Sequence, residues 1–103
     1  MINSVEINIE GRRVIWDDNK AKINIQKHKI HFEDAARVFL DKYRIEDFDE
    51  FHSDDEERTR VIGKVKGVLV VIYTMRGDKT RLISARKATK HEEEIYYGQY
   101  FYL

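Results

Sequence analysis

The side chains able to do chemistry in this sequence are basic or titratable: Lys27 and His28, His52, Glu57 and Arg58, Arg60, Arg76, Arg81 and Arg86. Groups of these types suffice to cleave RNA without a metal. One takes the proton from a ribose 2′-hydroxyl, another protonates the leaving oxygen, and cations steady the charged phosphorane. Arginine suits the last task because its planar fork binds two phosphate oxygens. The bland reading stands beside this one, since arginine on a strand is more often solvated or ion-paired. His28 and His31 have HxxH spacing but straddle an expected helix end, and no further ligand is placed by sequence to complete a zinc site. Ser53 follows His52, yet adjacency alone makes no nucleophile–base pair, and a helix cap is the simpler role. No HExxH, phosphate loop or GxGxxG occurs. The expectation is therefore no metal and no cofactor, and residues alone carry the reading only as far as a small α+β domain.

Composition bounds the rest. The 103 residues suit a single domain, 1–103. Nineteen basic residues cancel 19 acidic ones, so contact with nucleic acid has to come from local clusters rather than from net charge. There is no cysteine, which fits a reducing, cytoplasmic setting. The opening MINSVEINIE alternates like a strand and lacks the apolar run of a signal peptide. No apolar run approaches the roughly 20 residues of a membrane span, so no membrane partner is expected.

Several elements must position the candidate residues. Val5, Ile7 and Ile9 alternate, Glu10-Gly11-Arg12 turns, and Val14 to Trp16 returns, predicting a hairpin. Asp17 or Asp18 can cap a helix from about Asn19 to His28, with Ala21, Ile25 and His28 on one face. Phe32, Ala35, Ala36, Phe39 and Leu40 form the stripe of a second helix. Tyr43 to Phe48 reads as a strand, and HSDDEE as a loop with one turn capped by Ser53. RTRVIGKV, VLVVIYT and RLISAR are three further strands joined at Lys66-Gly67 and at Arg76-Gly77-Asp78. Val68 to Tyr73 is apolar throughout and is expected at the centre, covered on both faces. Thr89 and Glu92 form a capping box that starts the last helix.

The order predicts an α+β domain. A mostly antiparallel sheet carries the two helices of the N-terminal half on one face, and a helix closes the chain. By the two-residue period Arg58, Arg60, Ile62 and Lys64 share one side of their strand. The same period puts Leu82, Ser84 and Arg86 together, making Arg58 and Arg86 candidates for one half-open surface.

The pieces IWDDNKAKINIQKH, HFEDAARVF, HSDDEERTRVIG and VVIYTMRGDKTRLISARKAT, followed by Glu92, resemble the BrnT toxin family from about Val14 to Tyr96. The resemblance implies a RelE-like fold and a bacterial ribonuclease, a hydrolase of a type II toxin–antitoxin pair. It also implies an RNA substrate, a neutralising BrnA-like antitoxin, operator DNA reached only through that antitoxin, and room for a homo-oligomer within the complex. Carried over by position, the family pattern emphasises Trp16, Asp17, Lys27-His28, Arg58, Arg76-Gly77, Ser84-Ala85-Arg86 and Glu92. Trp16 and Asp17 also read as core packing and a helix cap, and Gly77 as a turn residue. In the functional reading Arg58 and Arg86 clamp phosphate, and His28 or Glu57 serves as base or acid. Lys27 and His52 complete the catalytic candidates, while Arg60, Arg76 and Arg81 contact RNA.

Three positions depart from the family. Lys29 stands where a Gly usually ends the first helix in the left-handed region, at a cost on the order of 1 kcal/mol. Asp41-Lys42 replaces Asp-Pro, and Glu92-Glu93 replaces Glu-Arg. The competing class is a catalytically inactive relative that keeps only a protein-binding surface, to which the aromatic tail YYGQYFYL would contribute. Direct DNA binding ranks last, because the chain has no basic recognition helix.

Overall fold

The computed structural model describes residues 3–49 and 56–99. Strands β1 (Ser4–Ile9) and β2 (Arg12–Asp17) form the expected hairpin. Its two-residue turn bends through positive φ at Glu10 and Gly11, 47° and 94°, the geometry that suits the twist of a tight hairpin. Helix α1 (Asp18–His28) begins where the Asp17 carboxylate accepts the Asn19 N–H. It ends at Lys29 in the left-handed region, φ 61°.

The second helix is shorter and tighter than its stripe suggests. One α-turn, α2 (Phe32–Ala35), runs into a 3-10 helix (Ala36–Leu40). At about three residues per turn the buried face rotates. Val38 is therefore fully buried, and Leu40, expected inside, is 39% exposed.

Strands β3 (Ile45–Phe48), β4 (Thr59–Lys64), β5 (Val68–Arg76) and β6 (Lys79–Lys87) follow, then helix α3 (Lys90–Gly98). The sheet order is β1-β2-β6-β5-β4-β3, antiparallel at every pair except β2 with β6. That parallel contact is brief, Val14 with Thr80 and Ile15 with Arg81. Beyond it α1 runs beside β6 in place of β2. The side chain of Asn24 substitutes for a strand there: its carboxamide donates to the Ala85 carbonyl at 2.8 Å and accepts the Ala85 N–H at 3.0 Å. The turn capped by Ser53 lies outside the described residues.

Two cores lie on either side of the sheet. The larger, under α1, α2 and the 3-10 helix, gathers Val14, Trp16, Phe32, Val38, Val61, Val71 and Leu82. Trp16 and Phe32 meet edge-to-face with centroids 5.8 Å apart. Each such large side chain contributes about 1.5–3 kcal/mol by leaving water. The smaller core, under α3, joins Ile62, Val68 and Val70 to Tyr96. Because α3 is short it covers only one end of that face. Ile72, expected to be enclosed, is half-buried at the margin where the open part begins.

Candidate active site

The open part of the sheet is the side away from α1. On β4, Arg60 lies opposite Ile72, and Ile62 opposite Val70. On β6, Ser84 lies opposite Ile72 and Arg86 opposite Val70. The register then slips: Tyr73 pairs with Leu82, leaving Ile83 as an extra residue. This bulge changes which residues share a face. Leu82 falls in the larger core with Ala85, so it does not share a side with Ser84 and Arg86 as strict alternation predicts. The same slip brings Arg81, opposite Thr74, onto the side of Arg86, five residues away.

Arg60, Arg76, Arg81 and Arg86 thus belong to one face, with Lys79 paired to Arg76 at its far end. Arg58, just before β4, joins them by continuing the alternation of that strand. Glu57 is exposed at the lead-in to β4, where its carbonyl accepts the Thr74 hydroxyl at 2.7 Å. Arg58 is half-buried, and its carbonyl accepts the N–H of buried Asp49 at 2.8 Å. Lys27 and His28 are carried at the end of α1, which packs on β6 and β2. Among the described residues neither makes a hydrogen bond or ion pair to the arginine face. His52 lies outside the described residues.

Arg86 is held by α3. Its Nη1 and Nη2 donate to the two carboxylate oxygens of Glu92 at 2.7 and 2.9 Å, and Nη1 also reaches the Lys87 carbonyl at 3.3 Å. Glu92 simultaneously closes the capping box: its carboxylate accepts the Thr89 N–H at 2.8 Å while its own N–H donates to the Thr89 hydroxyl at 3.2 Å. Pairing with Arg86, helped by the Thr89 N–H and opposed by burial, lowers the Glu92 pKa to about 2. Glu92 is therefore ionised at neutral pH and too weak a base to carry a proton there. A guanidinium has five N–H donors. With Nη1 spent and one Nη2 hydrogen used, the edge formed by Nε–H and the second Nη2–H is left to meet a phosphate side-on.

Arg60 is committed differently. Its Nε and Nη2 grip Asp47 at 2.9 and 2.7 Å, tying β3 to β4, and its Nη1 stands 3.9 Å from Glu92. The hydrogen bonds to Asp47 raise the Arg60 pKa, as those to Glu92 raise that of Arg86.

Sequence reasoning missed two supporting residues. Asn24 carried one readable signal, a polar side chain three residues after Ala21 on the helix face that meets the sheet. Asp41 had only its place after the second helix and its match to the aspartate of the family's Asp-Pro. Its carboxylate collects the N–H groups of Tyr43 and Lys64 and the hydroxyl of Tyr96, at 2.9, 2.8 and 2.5 Å, fastening α3 to β4.

Among the described residues, a mostly antiparallel six-stranded sheet with three α-helices, carrying arginines on a half-open face, defines an α+β class that includes a solved ribonuclease toxin. The crystal structure of the Brucella abortus ribonuclease toxin BrnT matches at 28% identity with a TM-score of 0.55, covering 73% of this chain and 94% of that one. The model of the family described as ribonuclease toxin, BrnT, of type II toxin–antitoxin systems matches residues 16–92, and the chain belongs to that family. No curated protein matches the chain significantly.

Proposed function

We propose that the chain is an endoribonuclease that cleaves RNA without a metal and is neutralised by a BrnA-like antitoxin. A single observation carries this reading: in a member of a ribonuclease toxin family, Glu92 takes one hydrogen from each of Nη1 and Nη2 of Arg86 and leaves its Nε–H and second Nη2–H for another ligand. In the proposed reaction a 2′-oxygen attacks the adjacent phosphorus and the bond to the 5′-oxygen breaks. Arg86 and Arg58 stabilise the charge gathered on the phosphorane. The 2′-proton passes to a base and the 5′-oxygen gains one from an acid. Glu57, exposed at the lead-in to β4, is the candidate beside the arginine face, whereas His28 and Lys27, at the end of α1, would have to reach the phosphate from beyond it, and His52 is a further candidate. Arg60, Arg76 and Arg81 contact the RNA on either side. The chemistry leaves a 2′,3′-cyclic phosphate. Mapping the ends of RNA cut in EDTA tests it: cyclic phosphate and 5′-hydroxyl ends support the reading, and 3′-hydroxyl ends overturn it.

A second reading is favoured by the same ion pair. With Glu92 on Arg86, the fork cannot grip a phosphate end-on, so an inactive relative would keep this face for a partner's carboxylates. In either reading an acidic segment of the antitoxin lies across Arg58 and Arg86. Co-expression with the adjacent reading frame then yields a complex that co-purifies. Separate elution of two folded proteins at micromolar concentration counts against it.

A further inference from the structure

Strand β1 lies outside the family match, which begins at residue 16. It nevertheless pairs with β2 along its whole length, from Ser4 opposite Asp17 to Ile9 opposite Arg12. Its Val5, Ile7 and Ile9 pack against the larger core, so Ser4, Glu6 and Asn8 face the arginine side. There Ser4, at the start of the strand, lines a cleft of about 480 Å³ together with Ile15, Arg76, Lys79 and Arg81.

We propose that this cleft is a second RNA subsite, which holds a phosphate and its base on the single strand at a distance from the phosphate cleaved at Arg86. The proposal rests on the ribonuclease reading and adds to it a site to which this chain's own N-terminal strand contributes Ser4. Arg81 is half-buried and makes no ion pair among the described residues. Two neighbours are fixed at the rim, Arg76 by Glu56 and Lys79 by Glu6, each at 3.3 Å. Asp17 also lines the cleft. Its Oδ1 accepts the Asn19 N–H at the start of α1, and the positive end of the helix dipole offsets its charge. Ile15, opposite Arg81, supplies an apolar floor. A cation beside an apolar surface suits a phosphodiester with a flat base, which stacks on a guanidinium plane without regard to sequence.

Spacing makes this a separate subsite. A strand rises about 3.3 Å per residue, so Arg81 and Arg86 stand roughly 15 Å apart along β6. That exceeds the reach between adjacent phosphates. The Ile83 bulge is what lets one strand of RNA meet both residues on one face.

The test uses the whole chain and 2′-O-methyl RNA, which lacks the attacking hydroxyl and stays intact while its binding is measured. A six-nucleotide oligomer spans both positions and a dinucleotide does not. Arg81→Gln keeps the aliphatic stem and removes the charge. It is expected to weaken six-mer binding about tenfold, the size of one charge-assisted hydrogen bond. It also reduces the slope of log K against log salt by about 0.7. The dinucleotide should lose less than twofold. Lys79→Ala should give a smaller loss of the same kind. An unchanged six-mer affinity and slope in Arg81→Gln overturns the subsite, as does failure of the wild-type chain to bind the six-mer. Tighter binding of poly-glutamate than of the six-mer also overturns it, in favour of a protein partner. Cleavage of ordinary RNA is scored separately. Cleavage with no Arg81 effect removes the subsite and leaves the ribonuclease reading. An Arg81-dependent six-mer without cleavage does the reverse.

Discussion

Arg86 and Glu92 close a two-pronged ion pair, 2.7 and 2.9 Å, across the junction between the last strand and the last helix. One carboxylate thereby completes the helix cap, orients the guanidinium and links to Arg60 3.9 Å away. The start of α3 and the orientation of the proposed phosphate-binding arginine depend on the same side chain.

Glu92→Gln should cost on the order of 2–3 kcal/mol at neutral pH, since a pKa held near 2 against 4.5 measures the preference of the fold for the charged form. The folded pKa is the lower one, so this stability is present above about pH 4.5 and is lost as pH falls toward 2. Urea unfolding of wild type should weaken through that window, and Glu92→Gln should lose less there. Parallel pH dependences in the two proteins would contradict the assignment.

Asn24→Ala should destabilise by about 2–3 kcal/mol, because it strands the buried N–H and C=O of Ala85. The melting temperature should fall by roughly 10 °C. The amide of Ala85 should exchange with solvent faster than its neighbours in β6, an outcome that mere loss of side-chain volume would not give.

These two residues mark where the sequence was legible and where it was not. Local chemistry could be read directly: the Glu10-Gly11 turn, a cap at Asp17 or Asp18 and the Thr89–Glu92 box depend on neighbours within a few positions, while the left-handed Lys29 was legible only from the family's glycine at that place. The shared face of Arg58 and Arg60 followed from strand alternation. What escaped depends on partners far along the chain. The Ile83 bulge is a mismatch between two strands and has no signature in either alone. The parallel contact of β2 with β6 joins residues more than sixty positions apart. The Arg86–Glu92 pair was hidden because the cap already accounted for Glu92.

Lys29→Gly should stabilise the fold by up to about 1 kcal/mol, since Lys29 ends α1 at φ 61° where a β-carbon is strained. A thermal melt that rises by a few degrees supports this; a melt that falls would mean that the lysine side chain matters more than its backbone.

RNA decay with purified chain in EDTA decides whether Arg86 stabilises the transition state of metal-free RNA cleavage. Arg86→Ala should slow decay about 10²- to 10³-fold. Arg86→Lys should recover little, because an ammonium lacks the planar fork. Since Arg86→Ala also deprives Glu92 of its partner, the double variant Arg86→Ala/Glu92→Gln should be equally slow with less loss of thermal stability. Wild type and Arg86→Ala degrading RNA at the same rate would reduce Arg86 to an anchor for α3.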